Sequence, residues 1–320
     1  MQRIVRWMAA ALALAACGAV LAQDWPARPL KLVVPFAPGG STDVLGRLVA
    51  LKLGEALGQP VVVENKPGAA GNLGTEQVVR AAPDGYTLVL GGGSNAVNAN
   101  LYKNLGFDFV RDLTGVALIG ISPNIMVVPP GLPVKSAAEF VDYAKQHRGG
   151  MNYASSGNGA TTHLAAELFK SVTGVEMTHV PYAGSNPALT ALMASQVQVM
   201  FDSIISATPL VKGGKLKALA VTSAQRNGAL PEVPSLKELG IDVVAVSYFG
   251  IYAPEKTPAP VVQRLSTELR RIMKMAEVQE RLASFGVQPQ DLDTAAFNAF
   301  TREQIAGWAL PVKLSGARID

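Results

Sequence analysis

From residue 30 onward, short runs of β-branched and aliphatic residues alternate with longer stretches whose apolar positions recur every three or four residues. Strands joined by amphipathic helices produce this alternation, and it predicts an α/β fold with parallel sheets. Strands are expected near 30–35 (LKLVVP), 60–64 (PVVVE) and 86–90 (YTLVL), with helices near 42–57 and 71–82 between them. A second series follows two apolar stretches at 116–121 and 125–128. It reads as a helix near 136–147, a strand at 151–154, a helix near 161–173, a strand at 177–181, a helix at 186–195, and strands at 197–202 and 216–222. The apolar run Val243 to Tyr252 then leads through Pro254, Pro258 and Pro260 into one long helix near 261–284, closed by Gly286. A last helix is expected near 294–308.

The charge-poor stretches 116–128 and 243–252 are the natural places for the chain to cross between two lobes. Two crossings imply a hinge. The expectation is therefore a discontinuous first lobe, residues 23–122 plus 250–320, and a second lobe, residues 123–249, with a ligand cleft between them.

The first 22 residues interrupt this pattern. Arg3 and Arg6 precede an apolar run from Trp7 to Ala16 and then small residues, which is the layout of an export signal. Val20, Leu21 and Ala22 fit ordinary cleavage before Gln23, whereas Leu14, Ala15, Ala16 and Cys17 resemble a lipoprotein box that would tether the protein through Cys17. The first cut removes the only cysteine, and with it any disulfide, thiol nucleophile or cysteine-held metal. After Gln23 no window approaches 18 uninterrupted apolar residues.

Composition narrows the function classes. Apolar residues make up 49% of the 320 and charged residues 16%, enough for a substantial core and too little charge for a disordered polymer. The formal charge of +4 falls to +2 once Arg3 and Arg6 are set aside, so no nucleic-acid footprint is expected.

Four times an apolar strand runs into a turn rich in Gly, Ser or Asn and then a helix: VVPFAPGGSTD (33–43), LVLGGGSNAVN (88–98), YASSGNGATTH (153–163) and VPYAGSNPA (180–188). Two fall in each expected lobe. In open parallel sheets such loops line the crevice, and the helix starts that follow offer unpaired N–H groups and a positive dipole end. The selected guest is an anion. Gly39, Gly40, Gly92, Gly93, Gly157 and Gly159 allow close backbone approach, and Ser41, Thr42, Ser94, Ser155, Ser156 and Thr161 add hydroxyl donors. Four to six hydrogen bonds to a charged group give roughly 6–18 kcal/mol gross, against about 8 for micromolar affinity. None of the four turns contains Lys or Arg, so backbone and hydroxyl donors must suffice. Each turn, taken alone, also reads as an ordinary cap.

Individual residues in these turns carry two readings. Asp43 either caps its helix or accepts from a ligand amine or bound water; Asp202 either caps the next helix or faces the cleft. Phe36 and Tyr182 either sandwich a flat or short apolar ligand body or pack the sheet ends. Enzyme signatures are lacking: there is no phosphate loop and no dinucleotide fingerprint, and Ala154 and Asn158 spoil a nucleophile elbow around Ser155 and Ser156. His147, His163 and His179 lie in separate segments without metal-ligand spacing. No cofactor and no metal are expected.

The segments PFAPGGSTDVLGR (35–47), VVVENKPGAAGNLGTEQVVRAAPDGYTLVL (61–90) and VPYAGSNPALTALMASQVQVMFDS (180–203) strongly resemble the Bug family, the extracytoplasmic solute receptors of tripartite tricarboxylate transporters. The resemblance covers essentially the whole mature chain. It implies a type II periplasmic binding protein fold closing on a small carboxylate, a periplasmic location, and one large and one small permease subunit as partners. Carried over by position, the implied contacts are Ala37, Pro38, Gly39, Gly40, Ser41 and Asp43 from the first turn, Ser94 from the second, and Ser155, Ser156, Gly157, Thr161, His163, Tyr182, Gly184 and Asp202 from the second lobe. The expected function is a monomeric receptor without covalent chemistry. Two alternatives stand beside it: an exported α/β hydrolase using Ser155 or Ser156 with His163, and a sensor presenting its closed form to a membrane kinase.

Overall fold

The structure, a computed structural model, describes residues 25–317. The export-signal reading of residues 1–22, and Cys17 with it, lies outside those residues. Three runs rich in Val and Leu form β1 (Leu30–Val34), β2 (Val61–Asn65) and β3 (Thr87–Gly92), which pair in parallel with β1 in the middle. Helices α1 (Ser41–Leu57) and α2 (Asn72–Val79) connect them, and α3 (Gly93–Leu101) starts directly from β3. β1 is buried at four of its five positions, as a strand covered on both faces should be, while the edge strand β2 leaves Val62 exposed.

The two apolar stretches at 116–121 and 125–128 are one 16-residue strand, β4 (Leu113–Val128). Its first part pairs antiparallel with β9 (Val246–Pro254); its last residues pair with β7 (Val199–Ser203) on one side and β8 (Lys217–Val221) on the other. Pro123 is the last residue in register with β9 and Asn124 the first in register with β7, so the missing proline N–H falls where the strand exchanges partners. That exchange explains why Ser122, Pro123 and Asn124 read as a break. β5 (Asn152–Ser155) lies between β7 and β6 (Thr178–Pro181) in a second parallel set, giving the order β2-β1-β3-β9-β4-β7-β5-β6 with β8 against β4.

Helices α4 (Ala137–Gln146), α5 (Thr161–Thr173) and α6 (Ser185–Met193) follow the expected positions. α7 (Ile204–Lys212) was not legible, because its apolar residues lack a polar face and Pro209 sits inside it. The single long helix expected at 261–284 is two, α8 (Ala259–Met273) and α9 (Ala276–Ser284), with Met275 extended between them. The buried positions explain the break: Val278 and Leu282 lie five and nine residues beyond Met273, out of phase with a 3.6-residue turn.

The last helix, α10 (Thr294–Ser315), runs past the expected end and packs on α3 and β4. Its Phe297 ring is fully buried against Gly115 of β4 and Gly250 of β9. A Cβ at Gly250 would lie 2.2 Å from the ring, so the helix seats itself on the two antiparallel strands only because both positions are glycine. Among the described residues no helix is long and apolar enough to cross a membrane.

Candidate functional site

Five helices begin around one cavity of about 40 Å³. Ser41 and Thr42 open α1, Gly93 to Asn95 open α3, Thr161 and Thr162 open α5, Ser185 opens α6, and Ser203 precedes α7; all of them line the cavity. Gly40, Ala160, Gly184 and Ser203 hold N-cap positions without a side-chain capping bond, which leaves first-turn N–H groups unclaimed by caps. At α3, Asn95 Oδ1 takes the Gly92 N–H at 3.0 Å. No lysine, arginine or histidine is among the lining residues. Ser203 Oγ, in a residue 4% exposed, has no hydrogen-bond partner. Such a ring of aligned N–H dipoles and hydroxyls suits one small anionic head group.

The four turns meet in pairs. Ala37 N–H donates to the Ala183 carbonyl at 3.3 Å and Asn186 Nδ2 donates to the Pro38 carbonyl at 3.4 Å, joining the first turn to the fourth. The second meets the third at Gly93, where a Cβ would lie 2.9 Å from Thr161 Cγ2 and 2.7 Å from Ser247 Oγ. A Cβ at Gly40 would meet nothing nearer than 3.6 Å. The demand for glycine therefore falls on Gly93 rather than Gly40.

Of the expected contacts, Phe36, Gly40, Ser41, Ser94, Ser156 and Thr161 line this inner cavity. Phe36 and Ser156 also line an adjoining outer cavity of about 360 Å³, where Gly157 and Tyr182 join them with Tyr102, Ala69 and Ala70. The outer space is large enough for the body of a small ligand. Ala69 and Ala70 adopt left-handed φ values of 48° and 49°, a conformation that costs a non-glycine residue roughly 1–3 kcal/mol. Asn98 Nδ2 reaches the Ala70 carbonyl at 3.3 Å and helps hold that segment.

Other expected contacts lie in the seam or behind the wall. Ala37, Pro38, Gly39 and Gly184 form the junction between the first and fourth turns and line neither cavity. Asp43 is turned away from the cavity and organises the first turn: its carboxylate accepts from Gly39 N–H, Arg47 Nε and Asn65 Nδ2, each at 2.9 Å. Burial pushes its pKa up, but these donors and the Arg47 charge outweigh that and hold it below the usual carboxylate value.

Ser155 and His163 also sit behind the wall. His163, His179 and Tyr153 form a stack, the two imidazoles 4.1 Å apart and nearly parallel. His163 Nδ1 accepts the Gly159 N–H at 3.2 Å, and among the described residues no hydrogen bond joins its ring to Ser155 or Ser156. Ser155 Oγ instead contacts His179 Nε2 at 2.6 Å and takes the Gly157 N–H at 3.1 Å. Burial, with Lys170 nearby, lowers His163 to about 4; burial, with the neighbouring imidazole, lowers His179 to about 3. The neutral rings shape the third turn from behind. Asp202 is likewise set back, accepting from Ser185 Oγ at 2.6 Å and from Ser206 Oγ. Among the described residues no group of three His, Cys, Asp or Glu is placed to hold a metal.

Sequence reasoning missed Ser185, Ser203, Ser247, Tyr248 and Phe249, all of which line the inner cavity. Ser247 and Tyr248 carried a signal, being adjacent hydroxyl residues in the middle of the apolar run 243–252.

A sequence profile described as the tripartite tricarboxylate transporter family receptor, TctC, matches residues 45–315. Protein BugT of Bordetella pertussis is 34% identical over 303 residues, which is 94% of this chain and 93% of BugT. Among solved structures, an R. palustris protein with adipate superposes with a TM-score of 0.90 at 36% identity, over 92% of this chain and all of that one. The periplasmic binding protein BugD superposes with a TM-score of 0.89 at 34% identity, over 92% of this chain and 99% of BugD.

Proposed function

We infer the function from a plain premise: the chain belongs to the tripartite tricarboxylate transporter receptor family, the Bug family. It is an exported periplasmic receptor that captures one small organic carboxylate and hands it to a membrane permease built of a large and a small subunit. The observation that carries this reading is the convergence of five helix N-termini, without any basic side chain, on one small cavity. An anion is the guest such a cavity stabilises. The head group sits among Ser41, Ser94, Ser156, Thr161, Ser185 and Ser203, and the rest of the ligand extends past Phe36 toward Tyr182 in the outer cavity. The similar protein solved with adipate supports a carboxylate ligand.

Opening and closing belong to β4 and β9. They are the two strands by which the chain passes between residues 23–122 with 250–320 and residues 123–249, and they lie side by side in antiparallel register. Bending them separates the first turn from the fourth and the second from the third, a hinge motion of the kind that closes binding proteins on their ligands.

Titration calorimetry of refolded protein, stripped of co-purified ligand, against a panel of organic acids tests the reading. One acid should bind saturably at one site, and its neutral amide should not. Failure of every acid with the fold intact would remove the carboxylate assignment.

The Ser155–His179 contact raises a second reading, a hydrolase. Ser155 is fully buried, and a base at about 3 is far from the near-neutral value that general-base catalysis needs. A fluorophosphonate probe is therefore expected to leave Ser155 unlabelled at pH 7.5. Stoichiometric labelling of Ser155, read by peptide mass spectrometry, would favour the enzyme.

A further inference from the structure

Asp202, the penultimate residue of β7, has no exposed surface and lies one hydroxyl away from the cavity. Its two neighbours Ser185 and Ser203 line the cavity, and Ser185 Oγ donates to its Oδ1. Among the described residues no cation is paired with it. β4, β5 and α6, which pack against β7, contain no charged residue, and α7 has only Lys212 in its last turn. In α5, Glu167 and Lys170 bond each other, Glu167 takes the Tyr153 hydroxyl, and His163 stacks on His179. In α1, Arg47 is committed to Asp43. The polar groups that reach Asp202 are the Ser185 and Ser206 hydroxyls and the Ser203 N–H.

Resting on the carboxylate reading above, we propose that Asp202 makes capture proton-linked: the anion enters together with one proton, which resides on the Asp202 carboxyl. Two arguments carry this. A carboxylate in the cavity and an ionised Asp202 are like charges separated by a single hydroxyl, and Asp202 itself is fully buried, where repulsion is strong. The Ser185 hydroxyl also changes role. While Asp202 is ionised, Ser185 spends its only proton on Oδ1 and presents lone pairs to the cavity. Once Asp202 is protonated it donates to Ser185 Oγ, and the Ser185 proton is free to turn to the bound anion. One proton is gained and none is lost elsewhere.

Burial, opposed by the three hydrogen bonds, raises the Asp202 pKa to about 6, so at pH 7.5 the ligand-free carboxyl is mostly ionised and takes up its proton on binding. By linkage, the protonated state binds the anion more tightly. Affinity rises as pH falls toward 6 and levels off below it. His163 and His179, at about 4 and 3, stay neutral throughout this range.

The test is titration calorimetry with adipate, succinate, benzoate and citrate at pH 7.5, each in phosphate and in Tris, whose ionisation heats differ. The expected result is uptake of about one proton per acid bound and about a tenfold loss of affinity per unit from pH 7 to 8.5. Asp202→Asn should remove both the uptake and the slope. Binding without proton uptake, or uptake that survives in Asp202→Asn, overturns the proton linkage while leaving the carboxylate reading intact. Should none of the four acids bind wild-type protein with an intact thermal transition, the carboxylate reading falls and this inference with it. If Asp202→Asn does not fold, the two-buffer comparison on wild-type protein decides alone.

Discussion

Gly93→Val is expected to weaken carboxylate binding by about 100-fold or more, equivalent to ~2.8 kcal/mol. Gly93 opens α3 and lies against both Thr161 of α5 and Ser247 of β9. A Cβ at 2.9 Å from Thr161 Cγ2 is closer than real side chains come, so the second and third turns must part. Overpacking of this kind costs roughly 1–3 kcal/mol, and here it is charged against the closed arrangement in which N–H groups from both series of strands face one guest. The γ-methyl groups add to the obstruction inside a cavity of only about 40 Å³. Calorimetric titration reads the affinity and a thermal melt confirms folding. Gly40→Ala is the matched comparison, with its nearest contacts at 3.6 Å, and should change affinity little. Equal affinity for Gly93→Val and wild type would mean that the two turns need not meet.

Asp43→Ala is expected to destabilise the fold by about 2–3 kcal/mol and to lower Tm by about 5 °C. The carboxylate is 3% exposed and satisfies three donors. Its loss leaves Gly39 N–H and Asn65 Nδ2 without this acceptor, at about 1 kcal/mol each; Arg47 is more than half exposed and adds ~1 kcal/mol or less. The pH dependence has a definite sign. The folded-state pKa of Asp43 lies below its unfolded value near 3.8, so the contribution is fully present above about pH 4 and is lost as pH falls through the folded value. The stability gap between wild type and Asp43→Ala should therefore be constant from pH 5 to 8 and shrink below pH 4, in denaturant titrations run across that range. A gap that widened on acidification would show that Asp43 is held by something other than these donors.

Much of the candidate site's layout could be read from the chain because it is made of turns. A strand running into Gly and Ser and then a helix marks where unpaired N–H groups will be, and the four such turns do converge, joined through Ala37 to Ala183 and through Gly93 to Thr161. What the turns contain could be read; which atoms face inward could not. Asp43 and Asp202 look alike in sequence, each beside a helix start, yet one is neutralised by Arg47 and the other has only hydroxyls and an amide. That difference depends on partners 4 residues away in one case and 17 in the other. His179 was equally hidden: its contact with Ser155 exists because β5 and β6 pair in parallel with Tyr153 opposite His179. Ser247 and Tyr248 reach the cavity from β9, far along the chain, and only the sheet order brings them there. In the fold, β4 was misread as two stretches because a partner exchange at Pro123 resembles a break, and α8 with α9 was misread as one because local periodicity persisted on either side of a change of buried face.

The position of a bound carboxylate is the decisive measurement. A crystal structure of ligand-loaded protein should place both carboxylate oxygens in the inner cavity, within hydrogen-bond distance of first-turn N–H or hydroxyl groups of α1 or α3 on one side and of α5 or α6 on the other. A carboxylate held by one side alone, or bound outside that cavity, would contradict it.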